Sequence, residues 1–154
     1  FIECLKVAFS SGCAKGRYGS VIRYPDGQHI SACNDPIDAL REWCEPSCIR
    51  LTIPSRQDSM IGACLHAEES VLKRGSALGW NMRGSRMYVA GIRSNGLFFV
   101  KSDPYFTCIR CAVALHVHGV EGIYVPLEDS WGYVSTIDAL KQAREFAEGS
   151  RALP

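Results

Sequence analysis

Three absences narrow the classes of function open to this chain. No apolar run approaches the roughly 18 residues of a membrane-spanning helix, so a helical membrane protein is not expected. Lys and Arg number 17 against 16 Asp and Glu, and a net charge of +1 supplies no global field toward nucleic acid or membrane. Internal repeats and low-complexity segments are also missing, so the composition indicates no boundary between domains.

What remains is typical of one soluble globular domain. The length of 154 residues, with 47% hydrophobic and 21% charged residues, is enough to bury a core without disulfides, and residues 1–154 are predicted to form a single domain. The sequence begins with Phe1 rather than Met, which leaves a removed preceding segment open.

Eight cysteines are many for this length and admit two interpretations. An even number is compatible with the disulfide framework of a secreted protein. Cys108-x-x-Cys111, with His66 upstream, instead has the spacing of metal ligands, which must be free thiolates. The second interpretation predicts a reducing compartment, and we expect a cytoplasmic location.

Hydrophobic periodicity and turn residues predict the element order α, ββ, α, α, ββ, α, β, α. The predicted strands cover residues 19–24, 29–33, 86–92, 97–100 and 122–126. The predicted helices cover residues 1–10, two turns from Asp35, residues 66–74, residues 107–119 and a segment from Ser135 onward. Strands and helices at this spacing indicate an α/β domain of two or three layers, with helices on both faces of one sheet.

Local signals set the predicted ends of these helices. Pro36 is expected at a first helical position, Gly75 at the end of the third helix and Thr107 at the N-cap of the fourth. Ser135-x-x-Asp138 is expected to open the last helix. In the first helix, Ile2, Leu5 and Phe9 are expected to face inward.

Two short motifs carry the chemistry. His66-Ala67-Glu68 starts one predicted helix, and Cys108-Ile109-Arg110-Cys111 starts another. On a helix, residues i and i+2 point about 200° apart, but the extended backbone of a helix start lets His66 and Glu68 converge. Cys108 and Cys111 share a face at a helix N-terminus, where the dipole favours thiolates. One imidazole and two thiolates predict a Zn²⁺ site.

Glu68 gives this predicted site a catalytic character. Three protein ligands leave a tetrahedral zinc position for water, as catalytic zinc sites do. Glu68 is then free to accept the proton of that water and pass it to a substrate. The joint pattern of His-x-Glu and Cys-x-x-Cys is typical of zinc-dependent deaminases of nucleobases. A redox pair, a structural zinc and chance occurrence are the alternatives.

Further segments of the sequence resemble a known family of proteins. These segments are Ser11-Gly12-Cys13-Ala14-Lys15 before Gly19-Ser20-Val21-Ile22, Ile30-Ser31-Ala32-Cys33-Asn34, Cys48-Ile49-Arg50, Ile53-Pro54-Ser55, and Cys64-Leu65-His66-Ala67-Glu68. Over most of residues 4–127 the sequence resembles the cytidine deaminase superfamily, and within it the deoxycytidylate deaminase branch. The resemblance implies a three-layer α-β-α sandwich with one mixed five-stranded sheet, commonly as a homo-oligomer.

The resemblance also implies a substrate and its contacts. It favours hydrolytic deamination of dCMP to dUMP, with a small-molecule nucleotide as the partner. Asn34 is expected to hydrogen-bond the sugar or base, and Ala67 is a further substrate-binding candidate. The alternatives are deamination of another free base or nucleoside, or of a base within RNA or single-stranded DNA. A non-catalytic zinc module for nucleotide binding or assembly is the alternative of another class.

Several residues outside the two motifs have two possible interpretations each. Tyr105 and Phe106 either stack on a base or pack in the interior. Cys13, Cys44, Cys48 and Cys64 either bind a second zinc or are buried thiols. Candidates for a phosphate-binding cation are Lys15, Arg17, Arg50, Arg56 and Arg110, each otherwise a surface charge. The expected structural or packing residues are His29, His116, His118, Trp80 and Trp131.

Overall fold

The computed structural model describes residues 1–44, 47–52, 64–100 and 107–151. The predicted contacts of Tyr105 and Phe106 and the cation role of Arg56 fall outside these residues. No helix of the described part is both long enough and apolar enough to cross a bilayer.

One five-stranded mixed sheet organises the described residues, and the order of its strands, numbered along the chain, is second, first, fifth, sixth and seventh. The strands are β1 (Gly16–Arg23), β2 (His29–Cys33), β5 (Arg86–Arg93), β6 (Gly122–Pro126) and β7 (Trp131–Ser135). Only β5 and β6 run parallel, with Met87 opposite Ile123, and the other neighbours are antiparallel. A separate two-stranded ribbon pairs β3 (Asp35–Pro36) with β4 (Cys64–Leu65).

In the described ranges, four α-helices cover the two faces of the sheet. The helices are α1 (Ile2–Ala8), α2 (Ala67–Ala77), α3 (Ile109–Val117) and α4 (Thr136–Arg151). Alternation along the strands divides the interior, because Met87 and Val89 face the main core while Tyr88 and Ala90 face the other side. The main core contains residues of α2, α3 and α4, and the second cluster contains Cys4 of α1. The predicted three-layer α/β fold with one mixed five-stranded sheet is thereby confirmed.

Several predicted boundaries were wrong. Pro36 lies in β3, and the following helix is a 3₁₀ helix, Asp38–Cys44. Gly75 does not end α2 but lies buried inside it, where an added Cβ would be 3.1 Å from Met82. The predicted strand at 97–100 is reduced to a single bridge between Ile92 and Phe98. Strand β7 was not predicted, because its two buried positions, Gly132 and Val134, form no apolar run.

Helix α1 buries a different face from the predicted one. Cys4 and Ala8 are buried, whereas Ile2 and Phe9 are 70% and 62% exposed. Small residues are required on this face because α1 crosses β1 at close range. A Cβ on Gly19 would collide with the carbonyl oxygen of Cys4, which explains glycine at this position.

Candidate metal and catalytic site

The candidate site lies where α2 and α3 begin. His66 is the N-cap of α2 and Cys108 the N-cap of α3, both with extended backbone (ψ of 158° and 161°). Because the cap residue departs from helical dihedrals, His66 and the following Glu68 both reach the site. Two helix N-termini meet there, and their dipoles favour the thiolate form of the cysteines.

Three donor atoms converge at this point. Nδ1 of His66 is 3.4 Å from Sγ of Cys108 and 3.4 Å from Sγ of Cys111. All three atoms lie within 4.8 Å of one another, and no other group of His, Cys, Asp or Glu in the described ranges meets this spacing. Zinc distances and tetrahedral angles would separate such ligand atoms by about 3.6 Å, so the three residues fit a zinc ion. The predicted trio is therefore brought together by the fold.

The two cysteines of the trio differ in their acidity. The pKa of Cys108 is lowered to about 4, chiefly because the Cys111 thiol hydrogen-bonds to its sulfur and also because His66 lies beside it; burial opposes the shift. The hydrogen bond with Cys108, and then burial, raise the pKa of Cys111. The hydrogen bond with Cys108 also raises the pKa of His66. The pKa shifts of the two cysteines therefore have opposite directions.

This asymmetry predicts selective alkylation. In metal-stripped protein at pH 6, Cys108 should be a thiolate because its pKa of about 4 lies below that pH. An ordinary thiol of pKa 9.0 is then only about one-thousandth ionised. We expect iodoacetamide to modify Cys108 first, as located by peptide mass spectrometry. Cys33, also partly exposed but with a pKa raised by burial, is the matched control. Equal rates at the two residues would contradict this geometry.

Glu68 faces the same space. Burial raises its pKa, against the opposing effect of His66. Oε1 of Glu68 accepts a hydrogen bond of 3.2 Å from the Thr107 hydroxyl. The predicted N-cap role of Thr107 was wrong, because Cys108 is the N-cap of α3. Thr107 instead orients the carboxylate that the sequence predicts to carry protons.

A second carboxylate ties the two helix starts together. Glu69 accepts a 3.0 Å hydrogen bond from the backbone N–H of His66. It also forms a bidentate pair with Arg110, with Nη2 at 2.8 and 2.9 Å from the two carboxylate oxygens. Arg110 is thus engaged by Glu69. Sequence reasoning missed the role of Glu69, although its place three residues after the cap matches a capping box.

Glu69→Gln should therefore weaken metal binding without removing a ligand. The substitution removes the charge that holds Arg110 and disturbs the spacing of His66 from Cys108. Loss of such outer support costs about 10- to 100-fold in metal affinity. We expect a loss in this range for zinc, measured by competition with a chromophoric chelator. Glu121→Gln, which breaks the exposed pair with Arg86, is the matched control and should leave the affinity unchanged.

Asn34 has a different environment from the expected one. Its side chain is buried and accepts hydrogen bonds from Tyr18 N at 2.7 Å and Ser11 Oγ at 3.0 Å. Its Nδ2 donates to the carbonyl of Gly16 at 3.0 Å. Asn34, which follows β2, therefore fastens the start of β1 and the preceding Ser11 to the end of β2.

Ala67 and Tyr18 complete the surroundings of Glu68. Ala67 is buried, and its carbonyl accepts a 2.6 Å hydrogen bond from Ser20 Oγ, which fixes the start of α2 on β1. Burial raises the pKa of the Tyr18 phenol, which also feels the charges of Arg93 and Glu68. Sequence reasoning missed Tyr18, which lies two residues before Ser20 on β1.

Three of the residues expected to have structural or packing roles make contacts away from the metal trio. Trp80 packs edge to face on Tyr24 at 5.1 Å against the main core. His118 contacts the Ala114 carbonyl at 2.8 Å and Ser76 Oγ at 3.3 Å, in a structural role. Trp131 contacts Phe1 and Tyr88 on the other face of the sheet.

An open cleft lies apart from the metal trio. Its volume is about 340 Å³, and its lining includes Phe98, Phe99 and Trp131 but none of the three candidate ligands or Glu68. The chemistry is therefore assigned to the helix starts rather than to this cleft.

Taken together, the sheet, its helices and the His66, Cys108 and Cys111 cluster define a protein of cytidine deaminase fold with a candidate metal site. Solved structures of this fold match most of the chain. A dCMP deaminase from the cyanophage S-TIM5 is 18% identical, with 90% of this chain and 83% of that chain covered and a TM-score of 0.54. A cytidine deaminase from Burkholderia pseudomallei is 15% identical, with coverage of 90% and 94% and a TM-score of 0.55.

A third neighbour is a cytidine deaminase from Mycobacterium leprae, at 18% identity, coverage of 90% and 92%, and a TM-score of 0.53. No protein-family model matches the sequence, and no curated protein does. The resemblance found in the sequence is thus confirmed at the level of the fold.

Proposed function

We propose that this protein is a zinc-dependent hydrolytic deaminase of a cytosine nucleotide, converting dCMP to dUMP with release of ammonia. The observation that carries the proposal is the meeting of His66, Cys108 and Cys111 beside Glu68 at two helix starts. The similar structures include both cytidine and dCMP deaminases, one of them in complex with dCMP and dUMP. Their common chemistry supports a cytosine ring as the reacting group.

The donor set favours zinc over other metals. Two thiolates and one imidazole are soft to intermediate ligands, and tetrahedral sites of this composition are typical of Zn²⁺. When bound, zinc would supply Lewis-acid chemistry that makes water nucleophilic near neutral pH. His66 would bind through Nδ1, the atom that faces both sulfurs.

Glu68 would move the protons. Burial raises the pKa of this carboxyl, which favours acceptance of a proton from water, and the protonated acid can then return that proton to the substrate. The first transfer protonates the ring nitrogen beside the amino-bearing carbon, while the water oxygen attacks that carbon. The second transfer moves the proton of the newly added hydroxyl to the amino group, so that the carbonyl forms as the C–N bond breaks and ammonia leaves. Thr107 would hold the carboxylate in position through its hydrogen bond to Oε1.

Retention of a buried carboxylate at this point favours catalysis over a non-catalytic module. A zinc site built only for assembly requires the three ligands but not Glu68, whose burial costs free energy while it is charged. Asn34, Ala67, Tyr105 and Phe106 are proposed to contact the substrate. For Asn34, both lone pairs of the amide oxygen accept intramolecular bonds, so the proposed contact uses an amide N–H.

A substrate panel tests the proposal and its alternatives. Zinc-loaded protein is incubated with cytosine, cytidine, deoxycytidine, CMP, dCMP, adenosine and short single-stranded RNA and DNA, and ammonia is measured. We expect dCMP to have the highest kcat/KM. Preference for cytidine would assign the nucleoside, and preference for an oligonucleotide would assign the polymer. Zinc-loaded protein that releases ammonia from none of them would support the non-catalytic module.

The assembly and location of the protein are also proposals. A homo-oligomer is supported by the resemblance alone, and sedimentation equilibrium of the purified chain would decide it. A cytoplasmic location is supported by the eight cysteines, all of them free thiols.

A further inference from the structure

The first half of β1 has one face that meets the start of α2. Ser20 on this strand donates a hydrogen bond to the carbonyl of Ala67, so its side chain is directed at that helix start. Side chains alternate along a strand, and Tyr18 therefore lies on the same face as Ser20. Gly19 belongs to the other face, where a Cβ would collide with the carbonyl oxygen of Cys4 in α1. Tyr18 is thus on the side of the sheet that carries the proposed catalytic carboxylate.

The ring of Tyr18 is fixed by its neighbours on and beyond β5. Tyr18 pairs with Gly91, and a Cβ on Gly91 would lie 2.5 Å from the Tyr18 ring. Glycine is required there because the ring lies across the backbone of β5. The ring of Phe99 packs edge to face on Tyr18, with the two centroids 5.1 Å apart. The N–H of Phe99 donates to the carbonyl of Gly91 at 2.8 Å, which holds the second ring in place.

Arg93 lies at the end of this aromatic pair. It is two residues beyond Gly91 on β5, so its side chain starts from the face of the sheet that carries the Tyr18 ring. Its guanidinium carbon is 5.7 Å from the centroid of the Phe99 ring, which is a cation–π contact. Its backbone is held by the turn after β5, since the N–H of Arg93 donates to the carbonyl of Leu97 at 2.9 Å.

Electrostatics connect Arg93 with the candidate site. Burial raises the pKa of the Tyr18 phenol, the charge of Arg93 opposes this increase, and the charge of Glu68 adds to it. The phenol is therefore near both the cation and the proposed catalytic carboxylate. Within the described ranges, Arg93 forms no ion pair with a carboxylate and the Tyr18 hydroxyl forms no hydrogen bond. Donor groups of both residues are thus available to a ligand.

The cations that the sequence suggested as phosphate ligands have other surroundings. Nη1 of Arg50 donates to Sγ of Cys64 at 3.2 Å, and Nζ of Lys15 donates to the carbonyl of Arg50 at 3.3 Å. Arg110 is held by its bidentate pair with the carboxylate at the start of α2. Arg17 shares the face of β1 that meets α1. Each of these four is thus engaged with the protein or directed to the other face.

We propose that Arg93, with the Tyr18 hydroxyl beside it, binds the phosphate of the nucleotide substrate and so determines the preference for a nucleotide over a nucleoside. This inference rests on the proposed function, because it assigns one part of the pocket for that reaction. The reacting carbon belongs at Glu68, and the phosphate is at the other end of the nucleotide. Its cation must therefore lie near the site but outside the metal trio, as Arg93 does.

The chemistry of the two side chains suits a phosphate. The planar guanidinium of Arg93 can donate two charge-assisted hydrogen bonds to two phosphate oxygens, and the Tyr18 phenol adds a third donor. The Phe99 ring keeps the guanidinium in place, and no carboxylate of the described residues competes for its N–H groups. Sequence reasoning did not suggest Arg93, because its position beside Tyr18 depends on the pairing of β1 with β5.

Steady-state kinetics with a nucleotide and its nucleoside test this inference. Zinc-loaded wild type and Arg93→Gln are assayed for ammonia release from dCMP and deoxycytidine. Loss of a charge-assisted contact to phosphate should lower kcat/KM for dCMP by about 10-fold or more, without a matching loss for deoxycytidine. Arg93→Lys keeps the charge but not the planar fork, and should retain part of the preference for dCMP. Tyr18→Phe keeps the ring and should lower kcat/KM for dCMP less than Arg93→Gln does.

Arg17→Gln is the matched control, because it removes a cation from the same end of the sheet on the opposite face, and it should behave as wild type. Arg93 is exposed, so its substitution should leave the fold intact, which circular dichroism and zinc content verify. A loss of dCMP preference in Arg17→Gln instead of Arg93→Gln would overturn the assignment. Arg93→Gln that changes kcat/KM for dCMP and deoxycytidine alike, or changes neither, overturns it and leaves the deaminase proposal standing.

Ligand binding separates this inference from the proposed function. Zinc-loaded wild type and Arg93→Gln are titrated with dUMP and with deoxyuridine in a calorimeter. Wild type should bind dUMP more tightly than deoxyuridine, and Arg93→Gln should lose that difference. If no substrate releases ammonia, the proposed function fails, and the same titrations still decide the phosphate site. Tighter binding of dUMP that depends on Arg93 supports the site, and any other result overturns it.

Discussion

Glu68→Gln should abolish turnover while the protein keeps its metal at the His66 site. Glutamine is isosteric with glutamate and can still accept the hydrogen bond of Thr107 through its amide oxygen. It cannot take a proton from water near neutral pH, so both proton transfers of the proposed cycle are lost. General acid–base catalysis is worth about 10² to 10⁴ in rate, and we expect kcat for ammonia release to fall by at least that factor.

The control for this variant is Glu121→Gln, which changes an exposed carboxylate in another ion pair and should leave kcat unchanged. Zinc content measured on the same samples separates loss of chemistry from loss of metal. A Glu68→Gln protein that releases ammonia at the wild-type rate would remove Glu68 from the mechanism.

Cys111→Ser should have a comparably large effect for a different reason. Cys111 is fully buried, and its sulfur is 3.4 Å from Nδ1 of His66. A serine hydroxyl has nearly the same shape but does not replace a thiolate as a zinc ligand at neutral pH. Loss of an outer partner already costs about 10- to 100-fold in metal affinity, so loss of a direct ligand should cost more than about 100-fold. Activity should disappear with the metal.

The measurement is chelator competition followed by metal analysis, with circular dichroism to verify the fold. Cys33→Ser is the matched control because Cys33 is a half-buried cysteine that is not a candidate metal ligand. Zinc affinity unchanged in Cys111→Ser would show that the trio is not the metal site. Activity that survives metal loss would contradict the dependence of the reaction on zinc.

The metal trio could be predicted from sequence because its parts are local. His66 and Glu68 belong to one helix start, and Cys108 and Cys111 belong to another. The sequence spacing within each pair therefore determines the relative positions of its two side chains. The sheet was largely predictable for the same reason, since β1, β2, β5 and β6 have continuous apolar or β-branched stretches. Strand β7 lacks such a stretch, and its pairing with β6 is decided by packing: a Cβ on Gly122 would meet the Tyr133 ring at 2.5 Å.

The surroundings of the trio depend on contacts between distant residues, which spacing does not reveal. Arg110 was considered as a phosphate ligand, but its partner Glu69 lies 41 residues away. Thr107 is a residue type that often caps a helix, but its hydroxyl instead donates a hydrogen bond to Glu68. Asn34 holds Tyr18 and Ser11 because β1 and β2 pair beside it. Local sequence propensity does not indicate which of several possible hydrogen-bonding partners a side chain contacts in the fold.

The proposed reaction is hydrolytic deamination of dCMP at the amino-bearing carbon of its cytosine ring. Its most direct test is the incubation of zinc-loaded wild type with dCMP in water enriched in oxygen-18, followed by mass spectrometry of the nucleotide and measurement of ammonia. The proposed mechanism predicts dUMP in which the base carries one oxygen atom from solvent, with one ammonia released per dUMP formed. Unchanged dCMP and no ammonia, from protein with zinc at His66, Cys108 and Cys111, would contradict it.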